Sequence, residues 1–276
     1  MQKTINFFLF LVVTNFSFSQ NIEPLELAKK LLSKVIFEDI EKYSKGEFKG
    51  HPNGEDLGEG VKLNFRLLNQ TKNIALVNVT IMDSLGKGLD TYLHFEKDSI
   101  WKINAFRALA MTGMLEMIKS EFEKFSESEI DSLIISEKDN DHKMFESKED
   151  FKYQLDNIKL TLEIDDNIIK HFNQNKKEFL QLKKKVSKIK FNKKEASYRQ
   201  INLKEKLESN YENLLLNSIT TSFYCDECFE FIIGGMVDNT VGYLYVKDIK
   251  NLPKINPSRI IMIREIGNGW YLFKTT

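Results

Sequence analysis

Cys225 and Cys228 stand three positions apart in SFYCDECFEF, and a pair at that spacing has three chemistries open to it. A redox pair needs one thiol held as thiolate by positive surroundings or a helix N-terminus. Here Asp226, Glu227 and Glu230 oppose a thiolate, and the residues that follow have strand character. A zinc half-site needs two further ligands, and none of His51, His94, His142 or His171 lies at finger-like spacing from the pair. The remaining chemistry is a Cys225–Cys228 disulfide, whose small loop contributes about 2 kcal/mol by chain entropy. Its geometry requires a turn rather than a straight strand. The disulfide is the favoured reading, with two unpaired thiols as its alternative.

Other chemistry-bearing residues are scattered. The loop GHPNGEDLGEG, Gly50 to Gly60, offers His51, Glu55, Asp56 and Glu59 as oxygen and nitrogen donors but lacks the EF-hand pattern. Asp139 and Asp141 open a second acidic stretch in which Lys143 occupies the place of a third ligand. Both read as solvated loops, and no metal site is assigned. Nucleophile elbows, phosphate loops, paired-histidine helices and dinucleotide fingerprints are missing. With 40 acidic residues in the chain, any chosen carboxylate pair would be arbitrary, so no catalytic residue and no cofactor are named.

The opening MQKTINFFLFLVVTNFSFSQ combines Lys3, an apolar run from Ile5 to Val13, and small Ser17 and Ser19. This is the pattern of a signal peptide cleaved after Ser19. The apolar run is too short for a bilayer, which takes roughly 20 residues. The expectation is therefore export to the periplasm or the medium, with no integral membrane segment after cleavage. Formal net charge is zero although 29% of residues are charged, so no global field points to nucleic acid or an anionic membrane, and partners must be sought locally. The charge is segregated: Glu121 to Asp166 is acidic, and Lys176 to Lys194 is strongly basic. The basic stretch reads as a solvated helix face paired with the acidic segment of the same chain.

Apolar spacing predicts a helix over Pro24 to Tyr43, with Pro24 in the first turn. Four strands follow, at Val61 to Leu68, Ile74 to Asp83, Leu89 to Lys97 and Ser99 to Arg107. Alternation puts Val61, Leu63, Phe65, Leu67, Val77, Val79, Ile81, Leu93, Phe95, Trp101, Ile103 and Ala105 on one face, where they should meet helices. The other face carries Arg66, Asn78, Thr80, Tyr92, His94, Lys102 and Asn104. It is either a solvated face or the lining of a polar pocket. Arg66, Asn78, Tyr92, His94 and Asn104 are the candidate ligand-binding residues.

Beyond the sheet the chain turns helical over Leu109 to Phe125, with Ser128 and Ser147 as candidate caps of two further helices. Phe151 to Leu162 and Ile168 to Ile189 follow with helical spacing, the second heptad-like with Asn175 as its one polar seam position. That seam could dimerise, or lie on the chain's own sheet, the favoured reading. A helix is expected over Leu203 to Leu216. Strands then follow at Ser222 to Met236, Thr240 to Val246, Arg259 to Ile266 and Trp270 to Thr275, with turns at Asp238–Asn239 and Gly267 to Gly269.

The segment IALVNVTIMDSLGKGLDTYLHFEKDSIWKINAF resembles the curved-sheet meander of the nuclear transport factor two-like (cystatin-like cone) superfamily. That resemblance implies a cone-shaped N-terminal sheet and leaves activity open, because the superfamily includes enzymes and binding scaffolds. The SFSQ end of the leader resembles that of Bacteroidetes exports, and the last 43 residues are similar to bacterial envelope proteins. The chain is thus expected to be α+β, two helix-plus-antiparallel-meander modules joined by a helical middle region. The expected divisions are 1–19 leader, 20–118 cone-like module, 119–165 acidic helical connector and 166–276 C-terminal module. The expected role is non-enzymatic binding of a small molecule or envelope protein. A small-molecule hydrolase or isomerase in the cone, and a helix-mediated interaction protein, are the alternatives.

Overall fold

The computed structural model describes residues 21–136, 143–190, 192, 201, 203, 207 and 211–276; the proposed leader lies outside them. The class is α+β, with a four-stranded and a five-stranded antiparallel sheet and the helices gathered mainly between them in sequence.

Helix α1, Pro24–Leu31, starts at its proline and buries Leu27, Ala28 and Leu31. It stops well short of Tyr43. The Ser33 side chain accepts the Val35 N–H, a local bond that competes with helix, and the backbone of Gly54 packs onto this end. A Cβ at Gly54 would stand 1.7 Å from the Ser33 carbonyl oxygen. Val35 and Ile36 are left exposed, while Tyr43 returns to the core.

Strands β1 Lys62–Gln70, β2 Ile74–Met82, β3 Gly88–Lys97 and β4 Trp101–Ala108 form the first sheet in chain order. Val77, Val79, Leu93, Phe95, Trp101 and Ile103 pack with α1, so alternation assigned this face correctly. The segment after α1 then runs beside β4: the Ile103 N–H donates to the Tyr43 carbonyl at 2.8 Å, and the Lys45 N–H to the Ile103 carbonyl at 2.9 Å.

Helices α2 Thr112–Phe122, α3 Glu127–Ser136 and α4 Lys148–Thr161 share a phenylalanine cluster of Phe122, Phe125, Phe145 and Phe151. Ser147 caps α4 by accepting the Asp150 N–H. At α3 the cap is Ser126 rather than Ser128: Ser126 accepts from the Glu129 N–H and its own N–H donates to Glu129 Oε2, a reciprocal capping box. Helix α4 lies against the second sheet, where a Cβ at Gly234 would come within 2.3 Å of Thr161 Oγ1.

The expected long helix over Ile168 to Ile189 is two, α5 Asp165–Gln174 and α6 Lys176–Val186. Asn175 interrupts it, its side chain donating to the His171 carbonyl at 2.9 Å. The seam faces inward: Ile168, Phe172, Phe179, Leu182 and Val186 join the main core with Phe231, Tyr243 and Trp270.

Of the helix expected over Leu203 to Leu216, most lies outside the described residues. Leu203 instead donates its N–H to Ile219, and Glu212–Leu214 is one 3-10 turn. The second sheet comprises β5 Ser218–Thr221, β6 Phe229–Met236, β7 Asn239–Tyr245, β8 Ile260–Gly267 and β9 Trp270–Thr275. The strand expected over Ser222 to Met236 is broken by the turn that holds the cysteines, which makes it the tip of a β5–β6 hairpin. The strand order is β5-β6-β7-β9-β8, so the last strand lies inside the sheet, β8 takes the edge, and the simple meander gives way at the end. Tyr92 and Leu76 of the first sheet lie in the main core beside residues of the second.

Candidate functional site

Two places bring polar chemistry together. The first is the face of the first sheet that carries the candidate ligand-binding residues. It is covered by the start of α5 and by the second sheet: Asn78 is 1% exposed, Tyr92 0% and His94 4%. At these three positions neither a solvated face nor an open lining results, while Arg66, Lys102 and Asn104 stay partly exposed.

The start of α5 supplies two adjacent carboxylates, and each ties both sheets. Asp165 accepts from the Tyr92 hydroxyl, at 2.8 and 3.0 Å, and its Oδ1 lies 2.8 Å from Lys274 Nζ on β9. Its own N–H donates to Asp90 Oδ2 on β3 at 2.5 Å. Asp90 Oδ1 accepts from Asn78 Nδ2 at 2.9 Å and Thr80 Oγ1 at 2.5 Å. Asp166 meets Arg66 of β1 through two bonds, at 2.8 and 3.1 Å, and Arg264 of β8 at 2.6 Å.

The electrostatics follow from this geometry. Burial drives Asp90 toward its neutral form, yet the Lys274 charge and its three donors outweigh burial and hold it below its ordinary value. Asp165 moves the other way: burial and the nearby Asp90 charge raise it, against the pull of Lys274 and the Tyr92 bond. Burial, then the two carboxylates, push the Tyr92 phenol well above its usual range. Asp166 is held low, chiefly by Arg66. One ammonium thus serves two buried carboxylates, an arrangement that stands only while every partner is present.

His94 lies on the same face, hydrogen-bonded to the Ile261 backbone of β8. Its Nε2 has no partner among the described residues. Burial, reinforced by the Arg107 charge, pushes it down to about 4. Asn104 stands apart, donating to Glu96 at 2.9 Å under the segment around Glu47 and Phe48.

Four of the five candidate residues therefore meet at the junction: Arg66, Tyr92 and His94 bind the chain's own second half, and Asn78 holds Asp90, which does. Asp90, Asp165, Asp166, Arg264 and Lys274 complete the cluster and escaped the sequence reading of the site. The doublet Asp165–Asp166 at a helix start was the available signal, but it reads equally as a favourable helix-dipole pair.

The second place is the tip of the β5–β6 hairpin. Cys225 and Cys228 stand at disulfide distance, with sulfurs 2.00 Å and Cα atoms 5.7 Å apart. The turn is closed by the Ser222 N–H donating to the Cys228 carbonyl. Beside it opens a cleft of about 680 Å³ lined by Glu227, Lys247, Asp248, Ile249, Asn251 and Tyr271, among others. The Asn251 amide donates to the Asp226 carbonyl at 3.4 Å, tying the cleft wall to the cystine turn.

Asp56 is engaged by His51 Nδ1 at 2.8 Å and by the Asn53 N–H at 2.7 Å, Asp139 and Asp141 lie outside the described residues, and those residues hold no cluster of three or more metal-ligating side chains. Among them no helix is long and apolar enough to cross a membrane.

The fold and the two sites define an α+β protein with two antiparallel sheets joined through a buried charged junction and a cystine-tipped cleft on the second. Comparison with protein-family models, curated proteins and solved structures finds no match.

Proposed function

We propose that the protein is an exported binding protein of the cell envelope, of the kind found in Bacteroidetes, and that it engages its ligand at the cleft beside the cystine. The observation that carries this reading is the Cys225–Cys228 pair, set on an exposed hairpin tip that forms one wall of that cleft. A disulfide persists in oxidising compartments, which agrees with the leader pattern of residues 1–19. The cleft presents both signs of charge, Glu227 and Asp248 against Lys247, beside the Tyr271 ring. That lining suits a short polar ligand with its own paired charges, such as a peptide segment.

Cell fractionation with intact-mass measurement tests export. The expected species lies outside the cytoplasm, begins at Gln20 and is two protons lighter than its reduced form. A cytoplasmic chain retaining residues 1–19 overturns the reading. Titration of the 15N-labelled protein with short zwitterionic peptides tests the cleft. The Asn251 and Gly269 amides are expected to shift; shifts confined to other surfaces would reject the cleft as the binding place.

A further inference from the structure

Helix α6 carries the basic stretch singled out in the sequence, for which the acidic segment of the same chain was the expected partner. Between Lys176 and Lys190 there are seven lysines and one acid, Glu178. Among the described residues no ion pair joins these lysines to the acidic segment. The carboxylates of that segment take other cations: Lys148 on Asp131, Lys159 on Glu123 and Lys152 on Asp156.

The inner side of α6 is locked. Phe179, Leu182 and Val186 are 0%, 5% and 0% exposed in the aromatic core, and Lys183 is held with its ammonium 4.4 Å from the centre of the Tyr245 ring. On a helix, positions seven apart return to the same side. Lys177 and Lys184 therefore share the outward side, with Leu180 between them at 37% exposure. Lys188 continues the line on the turn past the helix end, where the Lys188 N–H donates to the Lys185 carbonyl. Lys176, Lys185 and Lys190 are exposed as well.

We infer that the outer face of α6 is a docking surface for a lipid bilayer bearing anionic headgroups. The supporting argument is charge complementarity on a rigid mount: like charges are concentrated on one solvent face, with a single acid among them. A lysine close to an anionic bilayer adds about 1 kcal/mol to binding, and the gain falls off within a Debye length. The apolar side of α6 is spent on the protein's own core, so contact is made at headgroup level through charge, without insertion of the helix. The inference is independent of the cleft and of its ligand.

Vesicle co-sedimentation of the full chain tests it, with phosphatidylcholine vesicles compared with vesicles containing phosphatidylglycerol. Binding is expected only to the anionic vesicles beyond the phosphatidylcholine baseline, and to fall steeply with added salt. The triple variant Lys177→Gln, Lys184→Gln, Lys188→Gln is expected to lose about 100-fold in affinity, and Lys177→Glu, Lys184→Glu, Lys188→Glu still more. Changing Lys119 and Lys124 to Gln, on the acidic half, should leave binding intact. Thermal unfolding of each variant checks that the fold persists, and the glutamine set serves if the charge reversal does not fold. Inorganic phosphate at matched ionic strength should not displace the chain from the vesicles. Equal pelleting of wild type and the glutamine variant, displacement by free phosphate, or binding to duplex DNA without binding to vesicles would overturn the inference.

Discussion

The two sheets bury their faces by different means. The second sheet buries mostly apolar side chains on both sides: Phe231, Tyr243, Trp270 and Leu272 meet α5 and α6, while Ile232, Leu244, Ile263 and Phe273 lie under the cystine turn and the loop near Leu252 and Ile255; Lys274 and Arg264 are its contribution to the junction. The first sheet is mostly apolar toward α1; its other face adds Leu76 to the main core but closes chiefly through Asp90, Asn78, Thr80, Tyr92 and His94. Apolar burial scales with area and tolerates exchange. A buried polar face is directional, because each donor and acceptor must meet its own partner. The junction between the sheets should therefore be the place where single changes cost most.

The sharpest way to break that contrast is Lys274→Met. It leaves Asp90 and Asp165 buried without their cation, and a loss of about 3–5 kcal/mol is expected in urea unfolding. A loss below about 1 kcal/mol would place the junction on a par with surface ion pairs.

Acid provides the next test. His94 has a folded value of about 4 against an ordinary 6.5, so between those values the unfolded chain binds more protons than the folded one. Its contribution is whole above pH 6.5 and is lost as pH falls toward 4, up to about 3 kcal/mol. Unfolding curves across this window should flatten in His94→Gln; an unchanged slope would remove His94 as the source.

Cys225→Ser with Cys228→Ser addresses the opposite end of the second sheet. The closed loop is short, so the expected loss is about 2 kcal/mol, and hydrogen exchange should rise at the hairpin tip while the junction amides stay protected. A rise in exchange at the junction would mean that the two places are coupled.

The smallest effect is expected for Asp166→Asn. Asp166 is 46% exposed at its side chain, and partly solvated pairs contribute about 1 kcal/mol or less. Thermal melting of this variant beside Lys274→Met separates the outer layer of the junction from its buried centre.

Local regularities carried the sequence reading far. The first sheet's strands came out nearly to the residue, and most of its apolar face was assigned, Leu67 at the edge being exposed, because a two-residue period is written in nearby positions such as Val77 and Val79. The cystine could be argued from two residues and their acidic neighbours. Helix ends were harder: Asn175 sits in a seam position yet stops α5, and Ser33 ends α1 through one side-chain bond. In each case a local polar bond prevailed over an apolar rhythm that continued past it.

What the sequence determined by itself was the class of fold, the inward seam of α5 and α6 and the apolar face of the first sheet's inner strands, all products of short-range spacing. Tertiary structure alone decided what the polar face of the first sheet is for. Asp90 meets Asp165 across 75 positions and Tyr92 meets it across 73, and no period links such residues. A polar side chain has the same appearance in sequence whether water, a ligand or its own chain satisfies it. Here the chain does, because the start of α5 delivers two carboxylates to donors that both sheets had already brought to the junction.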